Sequence, residues 1–305
     1  MVVASTDSRY LPFLEGPREL DQASFRWRLG VRPLDLHEWI ELGCHADEAI
    51  AAKQRLNAAH PSTVFAALDG VEAEARQVAD ALLDHLRRRF PDRYADAHLD
   101  PALHPLDAAA RLVPEDLVLM VERDGHLVFG AGSVCFPNRW DLRSKIGRTL
   151  AEVHQPVAML NEQLEGPVDR FFERLTPERS FWRLGWGVLD TDDWYTPTDG
   201  TAAPRPSDVT PERLFLRVER ETLRRFPTSN AVLFTIRTYV TPIPVVAADR
   251  ATACRLADAL AALPDSVQAY KDVASFGESL VAHLRRPAAA SSAELDGSRV
   301  SIDQT

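Results

Sequence analysis

The sequence predicts an α+β fold, in which helices precede, interrupt and follow an antiparallel sheet. Three observations support this class. Apolar residues recur at helical spacing in the first hundred residues, alternate with polar residues around turn signals in the middle, and return to helical spacing near the C-terminus. The predicted parts are a helical N-terminal subdomain at 1–110, a sheet-containing core at 111–246, C-terminal helices packed on the core at 247–285, and a disordered tail at 286–305.

The N-terminal subdomain is predicted from caps and periodicity. Residues 1–34 look extended and irregular, and Asp35 is placed to cap a helix that continues through Leu42. A second helical pattern continues through Leu56. Ser62 and Thr63 are then expected to open a long amphipathic helix, whose apolar residues recur every three or four positions as far as Leu86.

The core is predicted from turns and alternation. Two apolar runs flank Asp124-Gly125, which is a strong hairpin signal, and helical spacing covers 140–175 with a kink at Gly166-Pro167. The segment 214–226 is ambiguous, because Thr210-Pro211-Glu212 is also a helix start, but its alternation favours a long hairpin with 231–240. Together with a strand at 181–189, this order of strands and inserted helices is that of a PAS-like antiparallel sheet, an order that many other α+β folds share.

Composition excludes several functions. The formal net charge of -10 offers no basic surplus for nucleic acid. Three cysteines without a C-x-x-C pair argue against a disulfide framework, a zinc ribbon or an iron–sulfur cluster within the chain, and favour a reducing, cytoplasmic compartment. The N-terminus has no signal-peptide pattern, and no apolar run approaches the ~18 residues of a membrane span.

The stretch 139–164 is the densest in candidate functional residues. His154 lies two residues before Pro156, so a helix carrying it should end or bend there. Four cations precede it: Arg139, Arg143, Lys145 and Arg148. One imidazole beside several cations is what a haem with two propionates requires. The alternative interpretation is a surface histidine in a basic turn.

Late strands carry a second candidate cluster. Arg217 and Glu219 share one face of their strand, as Arg237 and Tyr239 do of theirs, and Arg220 lies nearby in the sequence. Paired strands could gather these arginine and glutamate side chains. The alternative is an exposed ladder of salt bridges, which contributes little to stability.

Three long stretches resemble a known family. They are RWDLRSKIGRTLAEVHQPV at 139–157, FWRLGWGV at 181–188 and LRVERETLRRFPTSNAVLFTIRTYVTP at 216–242, and RLGVRPLDLHEWI at 28–40 resembles the family's opening. Over roughly residues 10–284 the chain resembles the haem-dependent oxidative N-demethylase alpha-subunit family. The resemblance implies a PAS-like haem-binding fold with haem b. It also implies O₂-dependent demethylation of a small secondary amine such as dimethylamine, with release of formaldehyde. Electrons would come from NADPH through FMN and 2Fe-2S groups on partner subunits.

The resemblance also suggests roles for residues. His154 becomes the expected axial iron ligand, since PAS haem domains carry this histidine on the helix before the third strand. Arg220 or Arg237 is expected to polarise oxygen, and Glu219 to hold the protonated amine. Trp182 and Trp186 are candidates for the pocket wall, although packing in the core also explains them. The alternatives are a haem-binding gas or redox sensor or carrier without turnover, and a domain that has lost haem.

Overall fold

The computed structural model describes residues 10–14, 22, 25–43, 45–157, 159–204, 206 and 208–286. The strands are β1 (Arg32–Leu34), β2 (Phe65–Ala67), β3 (Asp116–Arg123), β4 (His126–Ser133), β5 (Ser180–Leu189), β6 (Phe215–Arg225) and β7 (Val232–Pro242). The helices are α1 (Ala46–Ala59), α2 (Pro61–Val64), α3 (Glu72–Arg89), α4 (Pro91–Tyr94), α5 (Pro105–Ala110), α6 (Leu150–His154), α7 (Leu160–Arg174), α8 (Ile243–Val246), α9 (Arg250–Ala261), α10 (Asp265–Tyr270) and α11 (Gly277–Arg285).

The seven strands form one antiparallel sheet in the order β1-β5-β6-β7-β3-β4-β2. The predicted α+β class with an antiparallel sheet is therefore confirmed. The strands β3 to β7 lie side by side in the order second, first, fifth, fourth, third, and α6 and α7 fall between the second and third of them in sequence. The short strands β1 and β2, which the sequence did not predict, extend the sheet at its two ends.

Helices cover both faces of the sheet. We call the face covered by α6 and α7 the front face; it carries Val118, Met120 and Leu223, which form a core cluster with side chains of the 140–175 region. The opposite side is the rear face, on which the N-terminal helices and the C-terminal helices build two larger clusters. Because neighbouring residues of a strand point to opposite faces, each strand residue belongs to one layer only.

Both predicted hairpins are present. Asp124 and Gly125 have φ values of 51° and 79° between β3 and β4, the left-handed pair that a tight hairpin turn requires. The ambiguous segment 214–226 is strand β6, and it pairs with β7 along its whole length. Asn230, with φ 57°, lies in the turn between them.

The expected helix from Ser62 is wrong in its start. A single helical turn, α2, is followed by β2, which pairs with β4, and α3 begins only at Glu72. Gly70, with φ 76°, reverses the chain between them. As a strand, residues 65–67 hydrogen-bond to the edge of β4, which a continuous helix would leave unpaired at that place. Asp35 does form a cap, through its side chain and the His37 N–H, but of a 3₁₀ turn at Leu36–Glu38.

The break near His154 follows local sequence. Thr149 caps α6 and exchanges hydrogen bonds with Glu152, which fixes where the helix begins. α6 ends at His154, and α7 begins at Leu160 and contains Pro167. The predicted tail lies outside the described residues except for Arg286. In the described part of the chain, no helix has both the length and the apolar character to cross a membrane.

Candidate active site

His154 turns its ring into a narrow crevice between α6 and α7, beside the front face of the sheet. No hydrogen bond joins this ring to another described residue. Burial, followed by the charges of Arg183 and Lys145, lowers the pKa of His154 to about 4. The imidazole is therefore neutral at pH 7, which is the form that ligates a metal.

Two cations act on His154, and the sequence predicted one of them. Lys145 donates from Nζ to the Val153 carbonyl at 2.8 Å, which holds the ammonium near the end of α6. Arg183 comes from β5 and was missed, because its position opposite Glu221 depends on strand pairing. The strand pattern around FWRLGWGV could have placed it on a face, but not beside a helix inserted earlier in the chain.

The other three predicted cations are paired with carboxylates of the chain. The pairs are Arg139 with Asp190 and Asp272, Arg143 with Asp141, and Arg148 with Glu152. The side chains of Arg143 and Arg148 are 48% and 59% exposed. Arg139 is largely buried and links three separate loops, so its position indicates a structural tie. Of the four cations, Lys145 is the one whose charge acts on His154.

Two carboxylates lie on the front face. Glu221 and Glu219 of β6 stand opposite Arg183 and Gly185 of β5. Arg183 Nε lies 3.0 Å from Glu221 Oε2, and buried Arg217 donates from Nε to Glu219 Oε1 at 2.8 Å. Burial raises the pKa of Glu221 to about 7, although the charge of Arg183 opposes this rise. The front face therefore offers a carboxylate pair in which Glu221 titrates near neutrality.

Gly185 makes room for these carboxylates. A Cβ atom at this position would lie 3.2 Å from Glu221 Oε1 and 3.8 Å from Glu219 Oε2. A Cβ at Gly187 would meet nothing within 4 Å. Gly185 lies opposite Glu219 and Gly187 lies opposite Arg217, so β5 has no side chain at either position. No pattern in the sequence singled these glycines out.

Arg220 and Arg237 do not join Glu219. They stand opposite each other on β6 and β7, and both point to the rear face, because each is adjacent in its strand to a front-face residue. Arg220 donates to the carbonyls of Glu38 and Trp39. Arg237 is 1% exposed and stacks over Tyr239, with 5.1 Å from its Cζ to the ring centroid. The expected single cluster is thus divided between the two faces of the sheet.

Both candidate wall residues point to the rear face of β5. Trp182 packs on the rear face between the guanidinium groups of Arg32 and Arg220, at 4.8 and 5.6 Å from its ring centroid. Trp186 stacks edge-to-face with Phe13 and also lies 5.2 Å from Lys271 Nζ. Core packing therefore accounts for both indoles, and Trp186 also contacts Lys271 at the edge of β5.

The donor set around His154 fits one axial ligand to a haem iron, with cations close by for propionates. The crevice beside the ring has a volume of about 10 Å³, which holds at most a single water molecule. The crevice as it stands therefore has no room for a macrocycle. Among the described residues, no three His, Cys, Asp or Glu side chains gather as metal ligands, so His154 is not part of a bare metal cluster.

The fold and this face define an α+β protein in which two inserted helices bring a neutral histidine to the side of the sheet that carries two partly buried carboxylates. Residues 30–281 match the family described as haem-dependent oxidative N-demethylase, alpha subunit-like, and the chain belongs to this family. The resemblance found in the sequence is thereby confirmed. The family is named for an oxidoreductase that depends on haem, and its description as an alpha subunit implies other subunits.

Proposed function

We propose that the protein catalyses oxidative N-demethylation of a small secondary amine such as dimethylamine, using O₂ and externally supplied electrons and releasing formaldehyde. The proposal assigns haem b to the region beside His154, whose ring would bind its iron once α6 and α7 move away from the front face to admit it. The observation that carries it is the neutral ring of His154, which has no hydrogen-bond partner among the described residues, on the side of the sheet that holds Glu219 and Glu221.

Haem, when bound, supplies the iron chemistry by which O₂ oxidises the amine. Lys145 and Arg183 are the cations that would pair with its propionates, because they already surround His154. Arg143 and Arg148 would have to give up exposed ion pairs to take part. Pairing with both propionates favours binding, since a half-buried carboxylate needs a cation or a hydrogen-bond donor.

Glu219 and Glu221 are the proposed partners of the protonated amine. Each already has one arginine neighbour, and a carboxylate can accept further hydrogen bonds. Glu221, with its pKa near 7, can also take the proton that the amine must lose before its C–H bond is oxidised. Arg220 and Arg237 face the rear layer, so the proposal gives them no contact with the substrate.

Electrons are proposed to arrive from NADPH through FMN and 2Fe-2S groups on partner subunits in the cytoplasm. The description of the family as an alpha subunit supports this arrangement. The sequence adds that its three cysteines contain no C-x-x-C pair to hold a cluster.

The deciding experiment is turnover by the purified protein after haem loading. With an added reductant and O₂, dimethylamine should be consumed and formaldehyde should appear in equal amount. Reoxidation of bound haem without any formaldehyde, with dimethylamine and with other small N-methyl amines, would instead indicate a sensor or carrier. Failure to bind haem under any condition would reject both functions.

A further inference from the structure

Lys271 lies at the edge of β5, near the carboxylates of Glu219 and Glu221. Contacts of its side chain and of the next residue in the chain fix its position. Lys271 follows α10, and its neighbour Asp272 is tied to Arg139 at 2.7 Å. Its side chain reaches the edge of β5, where Nζ donates to the Trp186 carbonyl at 2.6 Å. β1 pairs with β5 only as far as Trp182, so this edge is open to a side chain from another element.

The surroundings of Nζ have the features that bind an alkylammonium. Nζ lies 5.2 Å from the ring centroid of Trp186 and 5.6 Å from that of Trp27. Aromatic faces at this range attract cations, and most strongly when the cation is an ammonium shielded from water. Glu219 supplies a negative charge near enough to raise the pKa of Lys271. Two indoles and a carbonyl thus surround an ammonium that belongs to the protein itself, and the negative charge of Glu219 acts on it.

The charge balance leaves little attraction for a second ammonium. Glu219 and, when it is ionised, Glu221 provide at most two negative charges near this edge, while Arg183, Arg217 and Lys271 provide three positive ones. Burial lowers the pKa of Lys271 to about 8, despite the charge of Glu219. The ammonium of Lys271 is therefore less stable here than in water, which makes it the cation most readily displaced.

We propose that Lys271 is an internal competitor for the amine: its ammonium occupies the subsite formed by Trp27, Trp186 and the Trp186 carbonyl, and a methylated ammonium binds there by displacing it. This inference rests on the proposed function, since it names the place where the substrate's charged head is recognised. Lys271 would then determine specificity, because only a cation that fits against both indoles gains enough binding free energy to displace its ammonium.

Binding of tetramethylammonium chloride, a cation that cannot lose a proton, tests the proposal by calorimetry on the haem-loaded protein. Lys271→Met removes the competitor's charge and keeps an apolar stem, so the dissociation constant should fall on the order of tenfold. Lys271→Arg keeps the charge and should bind no more tightly than the wild type. Arg213→Met, which removes an exposed charge elsewhere, should have no effect.

A second measurement uses the wild-type chain and does not depend on the variants folding. Saturating tetramethylammonium should increase acylation of Lys271 by an amine-reactive reagent, as measured by mass spectrometry, because the displaced amine reaches solvent. Unchanged acylation, or Lys271→Met binding the cation no better than the wild type, would overturn the inference. If these results support displacement but no amine is demethylated, the ammonium subsite stands and the proposed function fails. If dimethylamine turns over while Lys271 has no effect on cation binding, only the inference fails.

Discussion

Replacing Glu221 by Gln is expected to stabilise the protein at pH 8 and to change its stability little at pH 5. The pKa of Glu221 is about 7 in the folded protein, against an ordinary value of 4.5, because the carboxyl is buried. Between these values the native state holds a proton that the unfolded state has released. The stability associated with this group is therefore present below pH 4.5 and is lost as the pH rises through 7.

The magnitude follows from the same two values. The difference between 4.5 and about 7 corresponds to about 3 kcal/mol, at ~1.4 kcal/mol for each pKa unit. Glutamine cannot ionise, so it avoids this cost, but it also gives up the ion pair with Arg183. The expected net gain in the free energy of unfolding at pH 8 is about 1–2 kcal/mol. A carboxylate kept at such a cost is typical of a functional site.

Urea unfolding of the haem-free protein at pH 5 and pH 8 measures this gain, with Glu173→Gln on the exposed side of α7 as the matched control. The control should show the same small effect at both pH values. If Glu221→Gln proves no more stable than the wild type at pH 8, or gains equally at pH 5, then Glu221 is not a buried carboxyl that titrates near neutrality. In the haem-loaded enzyme the same variant should keep its haem and lose amine turnover.

Four further predictions concern other parts of the chain. His154→Ala should prevent stable haem incorporation or shift the Soret band, and added imidazole should restore part of the spectrum; an unchanged spectrum and haem content would reject the ligand assignment. Gly185→Val should leave haem bound and reduce amine turnover by about tenfold or more, because its Cβ would lie 3.2 Å from Glu221 Oε1; normal turnover would place the amine elsewhere. Burial lowers the pKa of His85 to about 4, so protonation of this group should reduce the free energy of unfolding by about 1–2 kcal/mol as the pH falls from 6.5 to 4, with allowance for solvent screening. Urea unfolding of His85→Leu should show a smaller loss than the wild type over the same pH range. NADPH alone should not reduce the haem-loaded protein at a useful rate in a stopped-flow experiment; rapid reduction without partner subunits would contradict the proposed electron path.

Local sequence determined the elements whose signals lie within a few residues. Asp124-Gly125 specifies a hairpin turn because both positions need a left-handed backbone, and alternation along 216–242 specifies a long strand pair. The start of α6 follows from the cap at Thr149, and its end at His154 follows from the proline after Gln155. Family membership could also be predicted from the sequence, because it rests on motifs within the chain.

Tertiary structure decided which of these residues meet. The sequence placed Glu219 and Arg220 side by side, but a strand sends neighbouring side chains to opposite faces, so only Glu219 reaches the layer of His154. Arg183 and Lys271 carried no signal of their own, since one depends on the register of β5 with β6 and the other on how α10 packs at the edge of β5. β2 formed where a helix was expected, because the edge of β4 offered it backbone partners. Contacts between segments distant in the chain depend on register and packing, which a local sequence pattern does not contain.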